Sequence, residues 1–156
     1  MSARWFLDTN ILVYAAAQQD LRSARARDLL RQRCQISVQV LNEFTAVAHR
    51  KLRRPWQEIG IALTAIRALC LPPLPITLDT HRHAVRIAER TGYRFYDSLI
   101  LASALQARCD TVWSEDMTDG QRIEDAPGVA AGGPDRGLVE ELGFQFGIAH
   151  RAVHAA

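Results

Sequence analysis

Four acidic residues interrupt or follow apolar segments, where an unpaired carboxylate is costly to bury. Carboxylates that crowd together raise one another's pKa unless a cation neutralises them. Oxygen ligands without histidine or cysteine favour Mg²⁺ or Mn²⁺ over zinc. The acids are Asp8 in "WFLDTNILVYAAA", Glu43 in "VLNEFTAVAHRKL", Asp97 in "YDSLILASALQARC" and Asp116 after "TVW".

The apolar pattern predicts elements that would bring these acids together. Short strands are expected at "RWFL", "QISV", "ITL" and "TVW", with helices in the longer segments between them. Strands that alternate with helices imply a mostly parallel sheet covered by helices on both faces. The predicted fold class is therefore α/β, a three-layer sandwich whose mostly parallel sheet has four or five strands; residues 128–133 are only a weak candidate for the fifth.

One edge of such a sheet would hold all the acids. Asp8 and Asp116 follow strands, at the carboxyl ends where open α/β sheets bind ligands. Asp97 opens an apolar helix, where the helix dipole favours an anion. Glu43 lies about 40° from the apolar stripe of its helix, so it can lean toward the sheet. Each acid alone is explained by capping, a turn or exposure, and only their common position predicts a site.

The helix boundaries can also be predicted. Pro55 is expected to open the helix "WQEIGIALTAIRALC". Asp79 is expected to cap "THRHAVRIAERTG", and Gly92 to close it. The segment "YDSLILASALQARC" is apolar nearly all round, so we expect this helix to be buried.

The composition is that of an ordinary globular protein. Of 156 residues, 48% are apolar and 23% charged, which suits one domain at residues 1–125 and an irregular tail at 126–156. No apolar stretch reaches the roughly 18 residues needed to cross a membrane. Because Asp8 and Asn10 interrupt the apolar N-terminal region, a signal peptide is disfavoured. Three separated cysteines are expected to be buried and reduced, and we expect a cytoplasmic protein.

The basic residues are almost all arginine, and Lys51 is the only lysine. They cluster in "RSARARDLLRQR" and "HRKLRRP". Arginine suits phosphate oxygens, so these clusters either contact the phosphates of a partner or form solvated helix faces. The sequence shows no aromatic ladder for stacking the bases of single-stranded RNA.

In this order, "FLDTNILVYA", "LNEF", "YDSLILASAL" and "TVWSEDM" resemble the four acidic motifs of PIN-domain ribonucleases, in particular the VapC-type toxins of bacterial toxin–antitoxin pairs. The resemblance implies a PIN-like fold and an Mg²⁺- or Mn²⁺-dependent endoribonuclease. It also implies that the substrate is RNA and that a small antitoxin protein inhibits the enzyme. Members of this family usually form homodimers, so a homodimer is expected here. It assigns metal binding and catalysis to Asp8, Glu43, Asp97 and Asp116, with Asn10, Ser114 and Asp119 in support.

Two alternatives stay open. "FLDTN" also resembles the nucleophile strand of haloacid-dehalogenase-like phosphatases, in which Asp8 would attack the phosphate. Against it, Asn10 replaces the second aspartate, Lys51 is the only lysine and Glu43 would have no role. The other alternative is a catalytically silent PIN module that only binds a partner. It would require one of the four acids to be missing, and none is.

Overall fold

The computed structural model describes residues 5–17, 21–109 and 111–114. Two short strands are the first and last elements of this part of the chain. They are β1 (Trp5–Leu7) and β2 (Thr111–Trp113), and between them lie α1 (Thr9–Ala16), α2 (Leu21–Leu30), α3 (Val38–Arg50), α4 (Trp56–Leu69), α5 (Leu78–Thr91) and α6 (Phe95–Gln106). Asp116, Asp119 and the predicted tail and fifth strand lie outside the described residues.

The two strands are parallel neighbours although they are far apart in sequence. Phe6 of β1 pairs with Val112 of β2. Two isolated parallel bridges, Phe6–Gln35 and Ser37–Leu74, continue the pairing. A parallel α/β arrangement is thus confirmed, whereas the predicted four or five strands stay a prediction, because the described residues contain two regular strands.

The predicted strand "QISV" is reduced to single bridging residues because a helix begins within it. Ser37 is the N-cap of α3, and its hydroxyl accepts a hydrogen bond from the backbone N–H of Val40. An N-cap residue has extended backbone angles, so Ser37 forms a bridge and still starts the helix. This cap fixes where α3, the helix that carries Glu43, begins.

The predicted strand "ITL" is wrong, and so is the predicted cap at Asp79. Thr77 is the N-cap of α5, and Leu78 is the first residue of the helix. The Thr77 hydroxyl accepts from the backbone N–H of Thr80, while the Thr80 hydroxyl accepts from the backbone N–H of Thr77. This reciprocal pair satisfies the backbone N–H groups of Thr77 and Thr80 at the start of the helix. In a strand, those groups would instead bond to a neighbouring strand. Asp79 lies in the first turn.

The core lies between the paired strands and the helices around them. Among its fully buried side chains are Phe6, Ile11, Phe44, Ile100 and Val112. Each such side chain contributes about 1.5–3 kcal/mol through burial. In α6 every residue from 98 to 104 is buried, and α5 packs along it. The predicted burial of this helix is confirmed.

Other helix boundaries agree with the sequence. Pro55 precedes α4 as its N-cap, and Gly92 closes α5 in the left-handed conformation, with φ of 73°. Glycine adopts that conformation without a steric penalty. None of the helices in residues 5–17 and 21–109 has the length and apolar character that a membrane span requires.

The cysteines are free and buried, as predicted. Burial raises the pKa of Cys34 to about 12, with smaller contributions from Cys70 and Cys109. Burial also raises the pKa of Cys70 to about 11. Since the thiolate is the reactive form, these two thiols are chemically inert near neutral pH.

Candidate functional site

Asp8 lies where the carboxyl ends of β1 and β2 meet. It follows β1 directly and is the N-cap of α1, with extended angles of −78° and 163°. Its backbone N–H donates to the carbonyl oxygen of Trp113 at 2.9 Å, which extends the parallel pairing by one residue. The Asp8 side chain is 3% exposed. The chain therefore turns from strand to helix with a buried carboxylate at the turn.

Both oxygens of this carboxylate accept hydrogen bonds from neutral donors. Oδ1 accepts from the backbone N–H of Thr9, and Oδ2 from the hydroxyl of Ser114, each at 2.6 Å. Ser114 follows β2, so the bond joins residues 106 positions apart in sequence. These two bonds fix the orientation of the carboxylate without supplying positive charge.

Burial raises the pKa of Asp8 from 3.8 to about 7. The hydrogen bonds from Ser114 and Thr9 oppose this shift, whereas the nearby charges of Glu43 and Asp97 add to it. Within the described residues, no basic side chain contributes to the shift. A cation placed here would therefore stabilise the ionised form, which in the described residues is stabilised by two hydrogen bonds and by no positive charge.

Glu43 lies half-buried in the middle of α3 and is held by two side chains. Its Oε2 accepts from the Thr9 hydroxyl at 3.0 Å, and its Oε1 accepts from the Gln39 amide at 2.9 Å. Thr9 thus contacts both acids, through its backbone N–H to Asp8 and its hydroxyl to Glu43. Sequence reasoning missed Thr9 and Gln39, although Gln39 and Glu43 are four residues apart on one helix face, a visible signal.

Asp97 lies in the first turn of α6 and is half-buried. The positive end of the helix dipole favours a carboxylate at this position. We call Asp8, Glu43 and Asp97 the acidic edge, because their charges interact at the carboxyl end of the strands. In residues 5–17, 21–109 and 111–114, however, no three His, Cys, Asp or Glu side chains are close enough to hold one metal ion.

The remaining predicted residues differ in their positions. Ser114 contacts Asp8 directly. Asn10 lies in the first turn of α1, half-buried, with its Oδ1 shielded from solvent. Asp116 and Asp119 lie outside the described residues, two and five positions after Ser114.

The donor set fits a hard divalent cation. It consists of carboxylates from α3, α6 and the end of β1, without histidine or cysteine among them. The pKa of about 7 at Asp8 means that the buried carboxylate is only partly ionised near neutral pH without a cation. Carboxylate oxygens are the ligands that Mg²⁺ and Mn²⁺ prefer. Asp8, Glu43 and Asp97 are the described candidates for ligands of such an ion, which would have to draw them closer together than they lie here.

Comparisons with known proteins bear on this arrangement. The sequence model of the PIN domain family matches residues 5–118. Among solved structures, VapC20 of Mycobacterium tuberculosis, a toxin that cleaves the sarcin-ricin loop, matches with a TM-score of 0.60 and 21% sequence identity. That match covers 72% of this chain and 89% of VapC20. A search of curated proteins found no match.

Proposed function

The chain belongs to the PIN domain family, and on that premise we propose that it is a metal-dependent endoribonuclease toxin that hydrolyses phosphodiester bonds in RNA. The observation that carries the proposal is the buried Asp8 carboxylate, which interacts with the charges of Glu43 and Asp97 and which no basic side chain in the described residues compensates. A hydrolase that uses a divalent cation needs such a group. A purely structural helix cap needs neither burial nor neighbouring acids.

The proposal assigns roles to particular residues. Four carboxylates would hold Mg²⁺ or Mn²⁺, and three further residues would support them. When bound, the cation neutralises charge on the phosphate and makes hydroxide available near neutral pH. The ligands are Asp8, Glu43, Asp97 and Asp116, and the supporting residues are Asn10, Ser114 and Asp119.

Contacts already present in the chain support this division of roles. The Ser114 hydroxyl and the Thr9 backbone hold both oxygens of Asp8, so this carboxylate does not have to reorient when a substrate arrives. Thr9 and Gln39 hold Glu43 in the same way. Fixed groups of this kind lower the reorganisation that accompanies phosphoryl chemistry. The protein's contribution is to hold these carboxylates in place around the phosphodiester.

We further propose that the protein is a cytoplasmic toxin that forms a homodimer. A small antitoxin protein neutralises it. The structural likeness to the VapC20 toxin supports the fold on which this part rests. A basic side chain of an antitoxin would interact with several carboxylates at once and so replace the cation. Because VapC20 cleaves the sarcin-ricin loop, that loop belongs among the first substrates to test.

The silent binding module is the second candidate. It is favoured by the distances among the described acids, since no three of them are close enough to hold an ion. The phosphatase alternative is disfavoured, because in the described residues no lysine or other basic side chain is near enough to Asp8 to affect its pKa, and Asn10 stands where the second aspartate would be. Phosphate found on Asp8 after incubation with a phosphate ester would reverse this preference.

Cleavage of RNA by purified variants tests the proposal. Asp8→Asn, Glu43→Gln, Asp97→Asn and Asp116→Asn should each reduce cleavage by about a hundredfold or more, because each removes several kcal/mol of charge stabilisation. Asp28→Asn, which removes an exposed acid of α2, is the matched control and should cleave at the wild-type rate. EDTA should abolish cleavage, and Mg²⁺ or Mn²⁺ should restore it.

Two results would contradict the proposal. Wild-type cleavage by any two of the four acid variants would show that the acids do not act together. Full cleavage in EDTA would exclude a metal-dependent reaction.

The toxin assignment has a separate readout, growth of a host that lacks the antitoxin. Wild-type protein should arrest growth and Asp97→Asn should not, and equal growth at equal protein levels would contradict a toxin.

A further inference from the structure

A basic and aromatic surface lies at the end of α3, away from the buried acids. We call residues 49–56 the basic corner; they comprise the last residues of α3, the turn after it and the first residue of α4. Every residue in this range is exposed. Its charged members are all basic, and they are Arg50, Lys51, Arg53 and Arg54.

An exposed tryptophan is held in place at this corner. Trp56 is 62% exposed, which is unusual for the largest apolar side chain. The ring of His49 stacks on it, with centroids 4.2 Å apart and an angle of 22° between the planes. One face of the indole is thereby supported by the protein, and the opposite face is available to a planar ligand such as a base.

Positive charge surrounds this tryptophan. Arg54 forms an ion pair with Glu58 at 3.3 Å. In the described part of the chain, Arg50, Lys51 and Arg53 form no ion pair. A partner that covers the corner must therefore supply negative charge, because burying unpaired cations against an apolar surface is costly.

The turn that carries these side chains is fixed to α3. The backbone N–H groups of Lys51 and Leu52 both donate to the carbonyl of Val47, at 2.9 and 3.1 Å. The N–H of Arg54 donates to the carbonyl of Ala48 at 3.0 Å. Arg53 has a φ of 50°, a left-handed backbone conformation that residues other than glycine rarely adopt. The basic side chains therefore project from one defined backbone conformation.

Within the corner, Arg50 lies on the side of α3 that carries Glu43, whereas His49, on which Trp56 stacks, lies about 120° from Glu43 around the helix. Arg50 follows Glu43 by seven residues, which places the two about 20° apart around the helix and about 10 Å apart along it. Phosphates repeat about every 3.4 Å along one strand of a helix. An RNA at the acidic edge therefore needs only a few more nucleotides to reach Arg50.

We propose that the basic corner is a subsite for single-stranded RNA, in which a base stacks on Trp56 and the flanking phosphates contact Arg50, Lys51 and Arg53. This inference rests on the proposed RNA substrate. Stacking on an aromatic ring tolerates any base, and basic side chains follow the backbone regardless of sequence. The corner thus adds affinity for unpaired RNA without selecting a cleavage sequence.

Binding of a fluorescently labelled oligoadenylate of about 12 nucleotides tests the subsite. The full-length chain with Asp97→Asn, in Mg²⁺, serves as the background, and if this variant still cleaves RNA an oligodeoxyadenylate of the same length replaces the oligoadenylate. Adding Trp56→Ala should weaken binding about tenfold, since stacking on an aromatic ring contributes that much or more per base. Trp56→Phe should retain most of the affinity. Ile61→Ala, which shortens a 70% exposed side chain of the same helix, is the matched control and should change nothing.

Salt dependence tests the phosphate contacts separately. Arg50→Gln and Arg53→Gln should each lower the slope of log affinity against log salt by about 1. Arg82→Gln, on α5 and 63% exposed, should leave it unchanged.

Equal affinity of Trp56→Ala and its background would overturn the subsite. So would a change only in oligomeric state, measured by light scattering, because that result assigns the corner to contact with a second copy.

The two proposals can fail independently. If the acid variants cleave RNA normally but Trp56→Ala weakens oligoadenylate binding, the metal-dependent mechanism fails and the subsite stands. If the acid variants lose cleavage and Trp56→Ala binds normally, the subsite fails and the nuclease stands.

Discussion

The acidic edge and the basic corner both use α3, yet they are built in opposite ways. The acidic edge gathers side chains from distant parts of the sequence, such as Asp8 and Ser114, which are 106 residues apart. The basic corner is one continuous segment held by hydrogen bonds to the preceding helical turn. The edge therefore depends on the whole fold, whereas the corner depends on one helix end.

The acidic edge and the basic corner also differ in their electrostatics, because the charges of the first are buried or half-buried and those of the second are exposed. At the edge, burial raises the pKa of Asp8 to about 7, so its charge depends on pH and on a bound cation. At the corner the cations are exposed, and salt screens them over about 10 Å at moderate ionic strength. The edge should thus respond to pH and metal, and the corner to salt.

The largest expected effect is on the stability of the metal-free protein. The folded-state pKa of Asp8 is raised, so its stabilising contribution is complete below about pH 3.8 and is lost as pH rises through about 7. Asp8→Asn removes this loss because asparagine carries no charge. In EDTA at pH 8 the variant should exceed wild type in free energy of unfolding by several kcal/mol. Denaturant unfolding at pH 5 and pH 8 measures the difference.

Two controls make this measurement specific to the acidic edge. At pH 5 the difference should shrink, because Asp8 is protonated in the folded wild type. Mg²⁺ should stabilise the wild type at pH 8 and not the variant. Arg50→Gln at the basic corner should change the free energy of unfolding by no more than about 0.5 kcal/mol. If the variant is less stable than wild type in EDTA at pH 8, then other groups of the folded protein stabilise the ionised Asp8 carboxylate, and the prediction fails.

A smaller effect is expected from Ser114→Ala. The Ser114 hydroxyl donates to Asp8 Oδ2 at 2.6 Å and lowers the pKa of Asp8, so its loss makes the carboxylate harder to ionise. Removing a partner that orients a ligand weakens metal affinity by about 10- to 100-fold. Mg²⁺ titration of cleavage should therefore shift to higher concentration, with most activity regained at saturation.

Ser103→Ala is the matched control for this change. Ser103 is also buried, but its hydroxyl donates to the backbone carbonyl of Leu99 within α6. The control should leave the Mg²⁺ dependence of cleavage unchanged. An identical shift in both variants would mean that the effect on Ser114 is one of general packing and not of contact with Asp8.

The two regions also differ in how far the sequence predicts them. The pattern of acids predicted Asp8, Glu43 and Asp97 near one edge, because the parallel strands of such a sheet end together, although each acid alone was explained by capping, a turn or exposure. The bonds that hold them, from Thr9 and Gln39, were missed because each side chain has many ordinary partners. The capping box of Thr77 and Thr80 ended a predicted strand, since local hydrogen bonds outweighed the apolar pattern of "ITL".

The basic corner shows a different limit of sequence reasoning. Its arginines were visible as a cluster in "HRKLRRP". The aromatic contact was not, because His49 and Trp56 belong to different helices and meet only through the conformation of the turn between them. The left-handed residue in that turn is Arg53, a residue type that does not signal such a conformation. A local search for aromatic ladders therefore cannot find this pair.

The smallest expected effect comes from Glu58, the acid beside the basic corner. Glu58 lies in the first turn of α4 and pairs with Arg54 at 3.3 Å, both side chains being more than half exposed. Exposed pairs of this kind contribute about 0.2–1 kcal/mol. Glu58→Gln removes a charge that repels phosphate and releases Arg54 for it. Affinity for oligoadenylate should therefore increase by about two- to fivefold at low salt, and the gain should disappear at high salt.

Asp79→Asn separates this gain from a general loss of negative charge. Asp79 also lies in the first turn of a helix, α5, and pairs with Arg82 at 3.6 Å, but it is outside the basic corner. Both variants lose an acid that interacts favourably with a helix dipole, so both should lose no more than about 1 kcal/mol of stability. Only Glu58→Gln should bind oligoadenylate more tightly. If both variants gain equally, net charge alone attracts the RNA, and α3 ends in an ordinary solvated surface.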